Sequence, residues 1–234
     1  MERLDKRLAG TGVWSRKEAR DLIKAGRVAV AGQVIRQIDA KVDETALVEV
    51  DGAAIGGTGP VYIMLHKPAG LVSATEDARE QTVLSLLPEQ YQRLGLFPAG
   101  RLDKDTEGLL LLTNDGPLAH RLLAPKSHVD KVYYLKVDGT LDEEDCAAVE
   151  MGITLADGYV CLPGHLELIG DGSAAKITIH EGKYHQIKRM MAARGKPVTY
   201  LKRLSFGSLM LDEQLEKGQW RLLTEEETEQ LVKP

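Results

Sequence analysis

Four consecutive leucines, Leu109–Leu112, follow directly on a loop in which Asp103, Asp105 and Glu107 alternate with other residues. An unbroken apolar run of this length reads as a buried strand. The acids therefore stand at the edge of a rigid element, a place that favours active sites. On the residues alone three readings stay open: a solvated loop, a magnesium site made by Asp103, Asp105 and Glu107, or one carboxylate acting on a substrate. A magnesium site needs several oxygen ligands in suitable geometry, which spacing does not establish.

The rest of the chain is compatible with a sizeable core. Hydrophobic residues make up 43% of the 234 and charged residues 28%, a globular balance. The length suggests two unequal domains. No apolar run reaches the roughly 18 residues of a membrane span, and the charged start precedes no signal-like stretch, so a cytoplasmic location is expected. Cys146 and Cys161, the two cysteines, match neither a zinc pair nor a redox motif and read as structural thiols. The net charge of -5 is unevenly distributed: residues 1–36 hold nine Lys/Arg against four Asp/Glu, an excess of +5, which leaves -10 for the remainder.

The basic start has its own architecture. Leu4 and Leu8 lie one helical turn apart, and Ser15-Arg16-Lys17-Glu18 has capping-box spacing for a second helix. Ala19, Leu22 and Ile23 form its apolar stripe, Arg16, Lys17, Arg20 and Lys24 occupy much of the remaining surface, and Gly26 caps the end. Arg27–Val30 then alternates as a strand. Through Arg3–Lys6, Ser15–Arg20 and Leu22–Val28 this segment resembles the alpha-L RNA-binding module of ribosomal-protein S-four type. The resemblance implies that Arg16, Lys17, Arg20, Lys24 and Arg27 face RNA. Phosphate contacts by Arg16, Arg20 and Lys24 would give salt-dependent affinity and register, not base reading. The boundaries expected are 1–52 for this module, 53–60 for a small-residue and glycine-rich linker, and 61–234 for a second domain.

In that second domain strand-like stretches occupy 61–65, 132–137, 166–168 and 175–179, with helical patterns at 83–87, 117–123 and 185–194. These are too irregular for strand-helix repetition. The fold class expected is α+β with a mixed, largely antiparallel sheet. Seven cations and no acid lie between Lys183 and Arg203, a candidate anion-facing surface, while Ile187, Met190 and Met191 read as core. Alternation puts Tyr133, Leu135 and Val137 on one strand face, with packing as the default role for the tyrosine.

The run Gly100–Gly116 resembles the signature of the pseudouridine synthase family that includes the ribosomal small-subunit pseudouridine synthase A. Supporting segments are His66–Gly70, Lys131–Tyr133, Glu181–Met191 and Gly218–Thr224, and with the amino-terminal module the likeness spans essentially the whole chain. It implies a catalytic domain that isomerises uridine to pseudouridine without cofactor or metal, through Asp103 as the essential carboxylate. It also implies that Tyr133 stacks on uracil and that Lys188 supplies a cation where relatives often carry arginine, a point charge in place of a planar fork. Arg101, His185, Gln186 and Arg189 fall on the substrate side. The implied partner is ribosomal RNA within a small-subunit assembly intermediate, bound by a monomer. Large-subunit RNA and a non-catalytic role in ribosome assembly are the alternatives.

Overall fold

In the computed structural model, which describes residues 1–43, 46–55, 59–124 and 127–233, the chain divides into two compact units. One comprises Met1–Val61 with Leu84–Phe97, the other Tyr62–Val83 with Pro98–Pro234. Of the expected linker, residues 56–58 lie outside the described residues.

The smaller unit begins with β1 (Glu2–Arg3), α1 (Leu4–Ala9) and α2 (Arg16–Ala25). Ser15 and Glu18 make the reciprocal capping box, and Gly26 closes α2 in the left-handed conformation. Strands β2 (Val28–Val30), β3 (Gln33–Val34), β4 (Lys41–Val42), β5 (Val48–Val50) and β6 (Ala53–Ala54) follow. β3-β2-β5-β6 form one sheet and β1 pairs with β4. Leu4, Leu8, Ala19, Leu22, Ile23, Val28, Val48 and Val50 share its core, so the apolar stripe read along α2 is the face that packs. The 3-10 turn Val83–Leu86 and α3 (Glu89–Gln92) come later in the chain. The segment Leu84–Phe97 joins this unit through Arg93, whose guanidinium donates to the Val13 carbonyl at 3.3 Å and pairs with Glu18 at 3.6 Å.

The larger unit is built on one mixed sheet. Its strands are β7 (Tyr62–Lys67), β9 (Glu107–Thr113), β10 (Lys131–Val137), β11 (His165–Ile169), β12 (Ala174–Ile179), β13 (Val198–Phe206), β14 (Leu209–Met210) and β15 (Trp220–Leu222), with the short β8 (Phe97–Pro98) before β9. The order is β11-β12-β10-β13-β9-β7-β15, and β14 pairs with the end of β13. Neighbours along this order run antiparallel except β13 and β9, which are parallel. Helices α4 (Gly116–Leu123), α5 (Glu143–Met151), α6 (Gln186–Ala193) and α7 (Glu225–Val232) complete the unit. Leu109–Leu112 are fully buried in β9, and no described helix is long and apolar enough to cross a membrane.

The parallel seam is short, with Lys202 opposite Glu107 and Arg203 opposite Gly108. Gly108 has φ +103°, and a side-chain carbon there would stand 2.2 Å from the Arg203 carbonyl oxygen. Only glycine permits this approach. Beyond it the buried Arg203 donates through Nε to the Leu109 carbonyl at 2.7 Å, satisfying a main-chain acceptor where the parallel ladder ends. Phe206 lies beneath two cations, with the Arg203 guanidinium 5.1 Å and Lys131 Nζ 5.5 Å from its ring centre.

The seven cations of 183–203 do not form the single anion-facing surface that their sequence clustering suggests. Arg203 is internal, Arg194 and Lys196 are paired with Asp145 beneath α5, and Lys202 points to the opposite sheet face from Arg203 by strand alternation. Gly108→Ala is expected to lower unfolding free energy by about 3 kcal/mol, since both overpacking and a positive φ oppose it. Denaturant midpoints of the two proteins measure this, and equal midpoints would refute the close-approach argument.

Candidate active site

The site is assembled where the loop before β9 meets the start of α6. Lys67, the last residue of β7, is fully buried and sends its ammonium into that loop. It donates to the carbonyls of Pro68 at 3.0 Å, Asp103 at 3.1 Å, Lys104 at 3.2 Å and Thr106 at 2.9 Å. A second clamp is Ser73, whose hydroxyl donates to the Leu102 carbonyl at 2.9 Å and accepts from the Leu102 amide at 3.1 Å. With its carbonyls turned inward, the loop directs the Asp103 carboxylate into a pocket, where its side chain is 25% exposed. The lining includes Leu102, Thr106, Tyr133, Ile179, Ile187 and Leu201.

Lys188, on the first turn of α6, lies 3.0 Å from Asp103 Oδ2 and 2.5 Å from Asp105 Oδ1. Burial works against its charge, but the hydrogen bonds to Asp105 and Asp103 outweigh it and raise its pKa. The same bond from Lys188 lowers the pKa of Asp105. His185 approaches the other oxygen of Asp103, Nε2 to Oδ1 at 3.5 Å. Its backbone is left-handed at φ 49°, and its ring stacks on the exposed Tyr184 at 3.8 Å. Tyr133 is buried on the pocket face of β10.

Four side chains expected near substrate thus surround Asp103 or line the pocket: Tyr133, His185, Lys188 and Arg101. Gln186 also lines it, but its amide is already committed, donating to Glu181 Oε1 at 2.7 Å and accepting from the Lys183 amide at 2.9 Å. Arg189 is absent from the lining and pairs with Asp157 at 2.5 Å. The trio Asp103, Asp105 and Glu107 does not converge. The Glu107 carboxylate turns to the other sheet face, where it accepts from the Tyr200 hydroxyl at 2.6 Å and pairs with Lys217 at 2.8 Å. Among the described residues no three His, Cys, Asp or Glu side chains are grouped to hold a metal ion.

In the smaller unit Arg16 and Arg20 each donate Nε to the buried Asp5, at 3.4 and 2.9 Å. Lys17 and Lys24 are exposed. Arg27 is paired with Asp51, its Nε and Nη2 donating to the two carboxylate oxygens.

Lys67 and Ser73 are the residues that sequence reasoning missed. Lys67 is marked in the sequence by the His66–Gly70 resemblance alone, and its carbonyl partners, 36 to 39 residues away for three of the four, leave no local pattern.

The site thus holds a half-buried, cation-paired carboxylate in a pocket lined by a buried tyrosine and aliphatic side chains. Residues 61–193 match the model of the RNA pseudouridylate synthase family and residues 2–48 match the S4 domain. The ribosomal small subunit pseudouridine synthase A of Vibrio cholerae is 44% identical, over 99% of this chain and 100% of its own. The ribosomal large subunit pseudouridine synthase B of Bacillus subtilis is 40% identical, over 99% and 96%. A crystal structure of a pseudouridylate synthase superposes with a TM-score of 0.70 at 35% identity, covering 99% of this chain and 100% of that one. The chain belongs to the RNA pseudouridylate synthase family.

Lys67→Met keeps the length of the side chain and removes every donor, so it should lower activity about 100-fold through misplacement of the Asp103 loop. The pH behaviour carries a sign. Burial pushes Lys67 down to about 8 from an ordinary 10.5, so between those values the unfolded chain binds more protons than the folded one. This group's contribution to stability therefore rises with pH across that window. The difference in unfolding free energy between wild type and Lys67→Met should grow from pH 8 to 10; a constant difference would show that Lys67 is not perturbed as described.

Proposed function

We propose that the chain isomerises a specific uridine to pseudouridine in small-subunit ribosomal RNA, with Asp103 as the catalytic carboxylate. The observation that carries this is the placement of Asp103 in the pocket, its loop fixed by Lys67 and its charge met by Lys188. Pseudouridine formation breaks the bond between the ribose and a uracil nitrogen, turns the base, and rejoins it to the ribose through a ring carbon. The site must therefore confine a free base. Attack of the carboxylate on the sugar, attack on the pyrimidine ring, and proton removal toward a glycal all begin with an anion at Asp103.

Tyr133 offers the ring against which uracil stacks, and the aliphatic walls of Ile179, Ile187 and Leu201 exclude water from the detached base. Lys188 balances the carboxylate, and His185 lies beside its other oxygen. Arg101 stands at the rim for a phosphate or for the gap left by the extruded nucleotide, whose unstacking costs about a few kcal/mol. Gln186 shapes the pocket through Glu181, and Arg189 reaches the substrate only by leaving Asp157. The smaller unit adds phosphate contacts through Arg16, Lys17, Arg20, Lys24 and Arg27, the last on release of Asp51.

The small-subunit assignment rests on the full-length likeness to the Vibrio enzyme and on the run Tyr184–Met190. A cytoplasmic monomer acting on an assembling particle fits this substrate.

Incubating the protein with small-subunit RNA or its assembly intermediate, then mapping by carbodiimide modification and primer extension, should reveal a new pseudouridine. Asp103→Asn should cut the rate by about 10⁴-fold and leave RNA affinity within about twofold, and chelators should have no effect. Full-speed isomerisation by Asp103→Asn would overturn the assignment of Asp103, and modification of large-subunit RNA alone would overturn the substrate.

A further inference from the structure

Tyr184 is the one aromatic among the large hydrophobic side chains that lie exposed in the described residues, with 74% of its surface in solvent. Its ring stacks on that of the next residue, His185, with centres 3.8 Å apart and planes inclined by 18°. One face of the tyrosine is therefore covered and the other is open. Neighbouring residues of an extended chain point to opposite sides. Here His185 stands in the left-handed region at φ 49°, and the two rings meet. That backbone conformation is uncommon for a residue with a side chain and persists where the surroundings enforce it.

The surroundings do so. The Gln186 amide donates to the Lys183 carbonyl at 3.1 Å, and the Gln186 side-chain oxygen accepts from the Lys183 amide at 2.9 Å. The Arg189 amide donates to the His185 carbonyl at 2.9 Å, and its guanidinium reaches the Tyr184 carbonyl at 3.4 Å while pairing with Asp157 at 2.5 Å. Folding gains little from this brace, because apolar burial stabilises in proportion to the area removed from water and most of the tyrosine stays wet. What the stack has is position. The His185 ring that carries Tyr184 on its face also lines the pocket and puts Nε2 3.5 Å from Asp103 Oδ1. One imidazole separates the open face of Tyr184 from the carboxylate.

We propose that Tyr184, backed by His185, is the platform on which the RNA base next to the target uridine stacks. The inference rests on the reading of the chain as a uridine-isomerising enzyme and extends it to a second nucleotide. A base drawn into the pocket leaves its neighbour without a stacking partner, which is part of the cost of extrusion. A flat ring held at the pocket rim replaces that partner, and because it is already braced, less side-chain freedom is lost when RNA arrives. Stacking on an aromatic ring accepts any base but requires that the base be free of a continuous duplex. The substrate is accordingly a loop or opened segment in which both the uridine and a flanking nucleotide are unpaired.

The test uses the full chain and a small-subunit ribosomal RNA transcript, with affinity measured by filter binding over a range of KCl concentrations. Tyr184→Ala should weaken binding about tenfold, by the same factor at every salt concentration because no ion pair is lost. Tyr184→Phe keeps the flat ring and should bind within about twofold of wild type. Tyr184→Leu keeps apolar bulk without a flat face and should be as weak as the alanine variant. The side chain lies largely in water, so all three should share the wild-type denaturant midpoint, and a change in affinity is then not a change in folding.

An alanine variant that binds like wild type would overturn the proposal. So would a leucine variant of full affinity, which makes the ring a mere apolar cover, or a phenylalanine variant as weak as alanine, which puts the contribution in the hydroxyl. If the stack serves only to steady His185 beside Asp103, the alanine variant slows turnover at saturating RNA and keeps its affinity, and the platform is again refuted. Pseudouridine formation by the wild-type chain on the same transcript tests the functional reading separately, so either can fail without the other.

Discussion

The geometry of the site depends on one buried ammonium. Lys67 leaves the end of β7 and collects four main-chain carbonyls from residues 68, 103, 104 and 106. A loop whose carbonyls point inward toward a common cation has few ways to dispose its side chains, and Asp103 is thereby directed outward to the pocket. The cation itself is tolerated because its donors are met. A buried ammonium lacking acceptors would be costly, and the carboxylates of Asp105, Asp103 and Glu107 nearby favour its charged form, though burial outweighs them. Fold and site are therefore not separable here, since the strand that ends in Lys67 lies in register with Gly108 of β9.

The seam between β13 and β9 sets the second constraint. Two largely antiparallel halves meet through a parallel contact of two residue pairs, with glycine on one side and a buried arginine on the other. Gly108 lets the backbones approach, and Arg203 replaces the ladder with a side-chain bond to Leu109. The Asp103 loop enters β9 at this point, and the pocket wall continues across the seam through Leu201 and Tyr133. A carboxylate on a loop gains the precision of the sheet because the loop is anchored at the sheet's least interchangeable position.

How much of this was readable from the residues depended on whether the interaction was local. The capping box at Ser15 and Glu18, the αL glycine at 26 and the buried leucines of β9 follow from short-range chemistry, and each is found where the pattern places it. The central strand β13 has no legible strand pattern in the sequence. Its Val198–Phe206 stretch carries Lys202 and Arg203, which read as part of a basic surface, and nothing in the spacing marks Arg203 as internal. The acidic helix α5 escaped for a similar reason: its Asp142 capping box and buried Asp145 look like a solvated acidic run until Arg194 and Lys196 arrive from residues about fifty positions later. Glu107 sits in the same alternating acid series as Asp103, yet the strand turns it to the opposite face. The magnesium reading was lost on that alternation of faces, which the period of a strand explains once its start is known.

Lysine at 188 stands where the family resemblance implies arginine, and the structure shows what an ammonium does there. A planar guanidinium presents a fork suited to one carboxylate, whereas an ammonium is a compact charge with three donors that can be shared. Lys188 is shared, between Asp103 at 3.0 Å and Asp105 at 2.5 Å. The shorter contact goes to the residue that is more exposed, so the cation is tethered by an acid outside the pocket while remaining within reach of the one inside. Asp105 thus does for Lys188 what Lys67 does for the loop: each fixes a neighbour of Asp103, the carboxylate proposed to react, and leaves its side chain facing the pocket.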